Sequence, residues 1–284
     1  MAAPFSFSRA LPMPELTCGA FRLDLSRPRI MAIVNLTPDS FSGDGHHRDH
    51  ERALRHAERC IADGAEILDL GGESSRPGAE PVGEDEELAR VIPVVEGLAG
   101  CGVPISVDTV KPAVMAAAIA AGASMINDIR GFSEPAAIDA VRSGDVGLCV
   151  MHMQGEPRSM QNDPVYTDVV AEVEDFLGRR LAHLHNHGIA RERIVIDPGF
   201  GFGKRRSHNE ALFRNIDRLA RTAPVLVGVS RKSVLGAVTG REVGDRLLPS
   251  VVSALLAAQK GAAILRVHDV AETRDALRLL EAFG

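Results

Sequence analysis

Asn35, Asp69 with Glu73, Asp108, Asn127 with Asp128, His152, Asp197, Arg231 with Lys232, and Arg266 with His268 each lie within or just beyond a short apolar run. A run buried on both faces cannot carry a charge at its end without a partner or a cavity, so eight such ends argue for one shared polar cavity. Asp108, Asn127 and Asp197 come from three different runs. Two carboxylates and an amide gathered in a partly dry pocket repel one another unless a ligand supplies donors. A planar heterocycle with a ring N–H beside an exocyclic NH2 would do so, because a carboxylate accepts two parallel hydrogen bonds from that edge. Guanine-like and pterin-like edges both fit; the competing reading is that each carboxylate caps a helix or pairs with a nearby cation. Positive charge gathers at the last two runs, in Ser230-Arg231-Lys232-Ser233 and Arg266-Val267-His268-Asp269. Ser233 is expected to open a helix whose free N–H groups and dipole favour an anion. One side of the cavity is therefore expected to take a heterocycle and the other a phosphate or carboxylate.

The runs that must position these residues are Ile30–Val34, Ile67–Leu70, Ile105–Val107, Met125–Ile126, Leu148–Met151, Ile194–Ile196, Val225–Val229 and Ile264–Val267, each followed by a helix-length stretch. Leu88, Val91, Val95 and Leu98 line one face of a 3.6-residue repeat, and Pro93 is expected to kink that helix. Eight alternating units of strand and helix predict parallel strands closed into a (β/α)8 TIM barrel. Links from helix to strand are short and contain Gly64, Gly122 or Gly261, residues suited to ending a helix in a left-handed conformation. Links from strand to helix are long after the first, second and fifth runs, about residues 35–48, 71–83 and 152–167, and long loops in a compact domain are usually functional. They belong to the C-terminal rim, where barrel active sites lie.

The 284 residues suit one barrel of ~250 residues, here residues 30–284. Residues 1–29 precede it, and Leu16–Leu25 alternates around Gly19 as a hairpin that would close the barrel bottom. A net charge of −6 argues against general nucleic-acid binding. No apolar stretch approaches the ~20 residues that cross a bilayer, and Met1–Met13 lacks the basic-then-apolar pattern of an export signal, so a cytoplasmic compartment is expected. Cys18, Cys60, Cys101 and Cys149 lack metal-ligand spacing and read as buried thiols.

Asp197-Pro198-Gly199-Phe200-Gly201-Phe202-Gly203-Lys204 invites a phosphate-loop reading, but that pattern needs Gly four residues before its Gly-Lys pair and Ser or Thr after it; Pro198 and Arg205 stand there. The glycines are instead expected to let backbone pass close to a ligand, with Asp197 facing the cavity and Phe202 forming an aromatic wall. His46, His47, His50 and His56 match no zinc pattern, and His183, His185 and His187 alternate along a helix that spreads them apart; both groups are expected to be solvated.

Seven segments resemble the signatures of the dihydropteroate synthase family: residues 35–42 (Asn-Leu-Thr-Pro-Asp-Ser-Phe-Ser), residues 71–78 (Gly-Gly-Glu-Ser-Ser-Arg-Pro-Gly), Ile126-Asn127-Asp128-Ile129, residues 151–155, residues 197–204, Ser230-Arg231-Lys232, and Arg266-Val267-His268-Asp269. They occur in family order from about residue 30 to the C-terminus. The resemblance implies a transferase that condenses 6-hydroxymethyl-7,8-dihydropterin diphosphate with 4-aminobenzoate, releasing diphosphate and giving 7,8-dihydropteroate for folate synthesis. It implies that Asp108, Asn127, Asp197 and Lys232 hold the pterin, with Met151 in the wall, and that Asn35, Arg76, Arg266 and His268 hold the diphosphate, with Mg2+ bridged by its oxygens and Asn35. Ser75, Pro77, Phe202 and the backbone around Ser233 would receive the aminobenzoate.

In this scheme Arg76, Arg266, His268 and Mg2+ stabilise the leaving group, and loops beginning at Asn35 and Gly71 close over it. The family also implies a homodimer. Two departures stand out: Ser75 replaces the usual Thr, and the first loop reads Ser42-Gly43-Asp44-Gly45 where Ser-Asp-Gly-Gly is usual, which displaces the catalytic loop acid to Asp44. Two rivals remain: a pterin-dependent methyltransferase on the same barrel, which needs no diphosphate site, and a catalytically silent pterin-binding protein.

Overall fold

The computed structural model describes residues 15–37, 46–74 and 78–283. Strands β1 (Glu15–Cys18) and β2 (Phe21–Asp24) pair antiparallel as a hairpin, with Gly19 supplying the positive φ of the turn. The eight barrel strands are β3 (Arg29–Asn35), β4 (Ile67–Gly71), β5 (Ile105–Asp108), β6 (Met125–Asp128), β7 (Gly147–Met151), β8 (Ile194–Asp197), β9 (Leu226–Val227) and β10 (Ile264–Val267). They are hydrogen-bonded in parallel in the order β8-β7-β6-β5-β4-β3-β10-β9. The single parallel bridge Ile196↔Val225 joins the two ends. This is the expected TIM barrel with its N-terminal hairpin, although the seventh run contributes a strand of only two residues.

The longer helices that cover the barrel include α1 (His46–Asp63), α2 (Glu84–Gly97), α3 (Pro112–Ala121), α4 (Pro135–Val141) and α5 (Val169–Asn186); α6 (Arg206–Arg214), short α7 (Ile216–Leu219), α8 (Ser233–Thr239), α9 (Leu247–Gln259) and α10 (Val270–Phe283) follow. Pro starts α3 and α4, where its missing N–H costs nothing. Asp168 caps α5 by accepting from the Val170 and Ala171 N–H groups. Helix α2 runs through Pro93 as one element. Its buried face also contains Glu87 and Arg90, beyond the apolar positions that the spacing identifies.

Strand alternation explains how the site is built. Side chains on one face recur every second residue, so inward-facing residues form layers. The lowest layer, Met31, Ile67, Met125, Cys149, Val195, Leu226 and Ile264, packs on Leu16, Cys18 and Leu25 from the hairpin and the segment after it. Two residues further along the same strands come Ile33, Asp69, Asn127, Met151, Asp197, Gly228 and Arg266, and with them the interior turns polar. The intervening residues, such as Ala32, Val34, Leu68, Leu70, Ile126 and Leu148, face outward into the apolar layer shared with the helices. The hairpin thus seals one end and leaves the polar layers facing the other.

Cys18, Cys60 and Cys149 are buried and Cys101 is half-buried, all as free thiols. His183, His185 and His187 are exposed as expected, but the rings of His183 and His187 lie 4.4 Å apart, because residues four apart share a helix face, which corrects the expectation that all three spread apart. The side chains of His46 and His47 fall outside the description, while His56 is half-buried against Cys60. No described helix is long and apolar enough to cross a membrane.

Candidate active site

A cavity of about 540 Å³ opens at the C-terminal ends of the strands, lined by Asn35, Glu73, Asp108, Asn127, Met151, Asp197, Phe202, Lys232, Ser233, Arg266 and His268 among others. Every described residue of the sequence-derived site therefore borders one space. Asp44, Ser75, Arg76 and Pro77 lie outside the described residues.

The floor is an ionic network. Arg266 donates from Nε to Asp69 Oδ2 at 2.6 Å and from Nη2 to Asp108 Oδ2 at 3.3 Å. Asp69 also accepts from Ser106 Oγ at 2.6 Å and from Asn127 Nδ2 at 3.4 Å, and it is fully buried. Burial opposes the charge on Arg266, but Asp69 and Asp108 outweigh it and hold the guanidinium protonated more firmly than usual. Burial and then the Asp69 carboxylate push Asp108 up, with Arg266 pulling the other way. Asn127 Oδ1 is buried and accepts no hydrogen bond in the described structure, an arrangement that costs free energy until a donor arrives.

Asp197 ends β8 and accepts from the Gly199 N–H at 2.6 Å. Burial raises its pKa, against the opposing pull of Lys232 and that N–H. Lys232 donates to the Phe200 carbonyl at 2.6 Å and lies 4.7 Å from the centre of the Phe202 ring, within cation–π range. Burial pushes its ammonium down to about 8, opposed chiefly by Asp197. Ile129, Met151, Met160 and Phe202 form an apolar wall. A flat heterocycle can rest against that wall while its donor edge meets Asp108, Asn127 and Asp197.

On the opposite rim, Ser230 Oγ lies 3.0 Å from His268 Nδ1 and accepts from the His268 N–H at 3.2 Å, which orients the imidazole. Arg231, at a left-handed φ of 57°, turns its guanidinium onto Asp269, with Nε to Oδ2 at 3.2 Å. Lys232 and His268 line the cavity. Helix α8 starts at Ser233 as expected.

The glycines of 197–204 divide between two roles. A Cβ at Gly199 would collide with the His152 carbonyl and one at Gly203 with the Gln154 carbonyl, so these two accommodate neighbouring backbone, which corrects the expectation that they approach a ligand. Gly201 does border the cavity.

The family model for pterin binding enzymes matches residues 31–268. The dihydropteroate synthase of Escherichia coli strain K12 is 48% identical over 262 residues, covering 92% of this chain and 93% of that protein. The chain belongs to the dihydropteroate synthase family. Two solved members extend the likeness to three dimensions. The Burkholderia cenocepacia dihydropteroate synthase complexed with 7,8-dihydropteroate is 53% identical, with a TM-score of 0.87 over 94% of this chain and 95% of that one. The Xanthomonas albilineans dihydropteroate synthase with 4-aminobenzoic acid is 50% identical, with a TM-score of 0.90 over 95% and 98%.

Two features of this family member's site go beyond the residues inferred from sequence. Asp69 was visible as a charge inside a buried run, but its role as the hub for Arg266, Ser106 and Asn127 requires the inward layer of three adjacent strands. Arg266 was expected to grip diphosphate; it does border the cavity, but it is also tied to two carboxylates in the floor.

Proposed function

We propose that this chain is a dihydropteroate synthase that joins 6-hydroxymethyl-7,8-dihydropterin diphosphate to 4-aminobenzoate, yielding 7,8-dihydropteroate and diphosphate. The observation that carries this reading is the pairing, in one cavity, of a buried acceptor set with a cationic rim. Asp108, Asp197 and the unpartnered Asn127 Oδ1 offer acceptors to the donor edge of a pterin, with Arg266 and Lys232 beside them and His268 bordering the same cavity.

The reaction needs no strong base on the protein. The arylamine nitrogen forms the new bond to the pterin methylene carbon, the C–O bond breaks with its electron pair leaving on diphosphate, and the nitrogen sheds a proton. The difficult part is the charge that develops on the leaving group, and positioned cations stabilise it best in a site sheltered from water. Arg266 and His268, together with Arg76, serve this end. Asp197 and Asp108 anchor the electron-rich ring, which spreads positive charge left on the methylene carbon. Phe202, Ser75, Pro77 and the backbone at Ser233 receive the aminobenzoate, and Asp44 acts from the first loop when it closes.

Mg2+ fits this donor set. No group of three or more His, Cys, Asp or Glu among the described residues could hold a metal, and Mg2+ commonly takes one or two protein oxygens with the remainder from phosphate and water. Asn35, at the end of β3 on the cavity rim, would supply the protein oxygen, and the ion would neutralise diphosphate charge.

The protein is proposed to work in the cytoplasm as a homodimer. Leu248, Val252 and Leu256 stand exposed at four-residue spacing on α9, and Leu279 and Phe283 are exposed on α10, which packs against α9; such apolar surface suits a second copy. Sedimentation showing only monomer at assay concentration would refute the dimer. The activity is tested by supplying both substrates and identifying the product by mass spectrometry. Formation of 7,8-dihydropteroate is expected; methyl transfer without this condensation would favour the methyltransferase rival.

A further inference from the structure

Lys204 is a buried lysine with no cavity-lining role. Its Nζ donates to the Phe202 carbonyl at 2.9 Å and to the His152 carbonyl at 3.2 Å, and lies 3.0 Å from His152 Nδ1. Burial pushes the Lys204 ammonium down to about 7, opposed by Asp197, and the three acceptors around Nζ match the three donors of the protonated form. His152 follows β7, whereas Lys204 and Phe202 belong to the loop from β8 to α6, so the contacts bridge two loops of the rim. For Nδ1 to accept, the imidazole must be neutral; burial and then Lys204 itself hold its pKa down at about 3. The Phe176 ring meets His152 edge-on with centroids 4.9 Å apart, which fixes the imidazole plane.

The surrounding backbone is fitted to this clip. Gly199 and Gly203 allow the β8–α6 loop to lie directly against the carbonyls of His152 and Gln154. Tyr166 Oη donates to the Gly203 carbonyl at 2.9 Å and Gln161 Nε2 to that of Gly201. Between these ties lie the Phe200 carbonyl, which accepts from Lys232, and Phe202, which that ammonium overlies.

We propose that Lys204 is a positioning residue for the condensation: it pins the β8–α6 loop to the end of β7 and so holds Phe202 and the Phe200 carbonyl where the aminobenzoate and Lys232 need them. Its relevance to turnover rests on the condensation reading above. Asp197, in contrast, is fixed by the strand ladder, with the His152 N–H donating to its carbonyl at 3.0 Å. Loss of the pin should therefore fall on the aminobenzoate side rather than on pterin binding.

Lys204→Met keeps the length of the side chain and removes its donors. The expected result is a rise in aminobenzoate KM of about tenfold or more, the scale of a displaced contact residue, with dihydropterin affinity by calorimetry within about threefold. Hydrogen exchange should accelerate in residues 152–166 and 198–204 and stay unchanged in 125–128. Should that variant not fold, His152→Ala and His152→Asn decide the matter. Alanine removes one acceptor, and asparagine places an amide oxygen near the position of Nδ1, so alanine should raise KM and asparagine should restore it. Equal losses for both substrates, uniform acceleration of exchange, no change in either readout, or identical behaviour of the two His152 variants would overturn the proposal. If the wild type itself does not turn over, the condensation reading fails, while the exchange data still decide whether Lys204 pins the loops.

Discussion

Asp69→Asn tests the ionic floor most sharply, because asparagine keeps the shape and removes only the charge. Its amide oxygen can face Arg266 Nε and Asn127 Nδ2, leaving its NH2 toward Ser106 Oγ, which can turn from donor to acceptor. The contacts to Ser106 and Asn127 therefore survive as neutral hydrogen bonds, and the contact to Arg266 keeps a charge on its donor alone. A hydrogen bond to a charged group contributes about 1.5–3 kcal/mol against about 0.5–1.5 for a neutral one, so the loss centres on about 1–1.5 kcal/mol. That corresponds to roughly five- to twelvefold in kcat/KM for the pterin diphosphate, and to a fall in Tm of a few degrees for a domain of this size. The effect works through orientation: with Asp69 neutral, Arg266 is drawn toward Asp108 alone. Steady-state measurement of diphosphate release, beside a thermal melt, provides the comparison. An unchanged or increased kcat/KM would refute the reasoning, because the added positive charge would then outweigh any loss of guanidinium alignment.

Asp197→Asn should weaken dihydropterin binding about ten- to 150-fold with the fold intact, the range of one lost charge-assisted hydrogen bond; calorimetry showing unchanged affinity would remove Asp197 from the site. His268→Ala should depress turnover while sparing the affinity of a pterin lacking its diphosphate, whereas Arg266→Ala should also lower Tm, since it leaves Asp69 and Asp108 without their shared cation. Equal behaviour of these two variants in both assays would contradict the different roles given to them. For pH, kcat/KM should fall above about 8 as Lys232 loses its proton. On the acid side it should fall as Asp108 and Asp197 protonate at pH values above the ordinary carboxylate range. The Lys232 contribution to stability has the opposite sign: its pKa is lower folded than unfolded, so the unfolded chain binds the extra proton and stability rises from about 8 toward 10.5. Lys232→Met should flatten both trends, and a profile identical to the wild type would show that another group titrates.

The barrel was legible because its strands are buried on both faces and read as apolar runs, and the site was legible because Asp108, Asn127 and Asp197 end such runs. Alternation along each strand converts these ends into one polar layer, as Val195 to Asp197 and Met125 to Asn127 illustrate. Pairings across the layer were less accessible. Nothing in the spacing of Asp69 and Arg266, 197 residues apart, predicts that they share a proton-bearing contact, because it depends on β10 closing beside β3 and on side-chain reach across the interior. Polar groups that support the loops were hidden for a similar reason. Apolar periodicity identifies Val91, Val95 and Leu98 on α2 but is silent about Glu87 and Arg90, which are buried because Lys111 bonds to Glu87 and Arg90 donates to the Gly72 carbonyl at 2.8 Å. The glycines of 197–204 were read as sites where backbone approaches a ligand, but at Gly199 and Gly203 it is the β7 loop that approaches, a contact that depends on tertiary structure.

The most direct test of the account is diphosphate release by the purified wild-type protein with dihydropterin diphosphate and Mg2+, measured with and without 4-aminobenzoate. The account predicts diphosphate and 7,8-dihydropteroate in equal amounts when both substrates are present. Tight dihydropterin binding with no diphosphate released by both substrates together would contradict it.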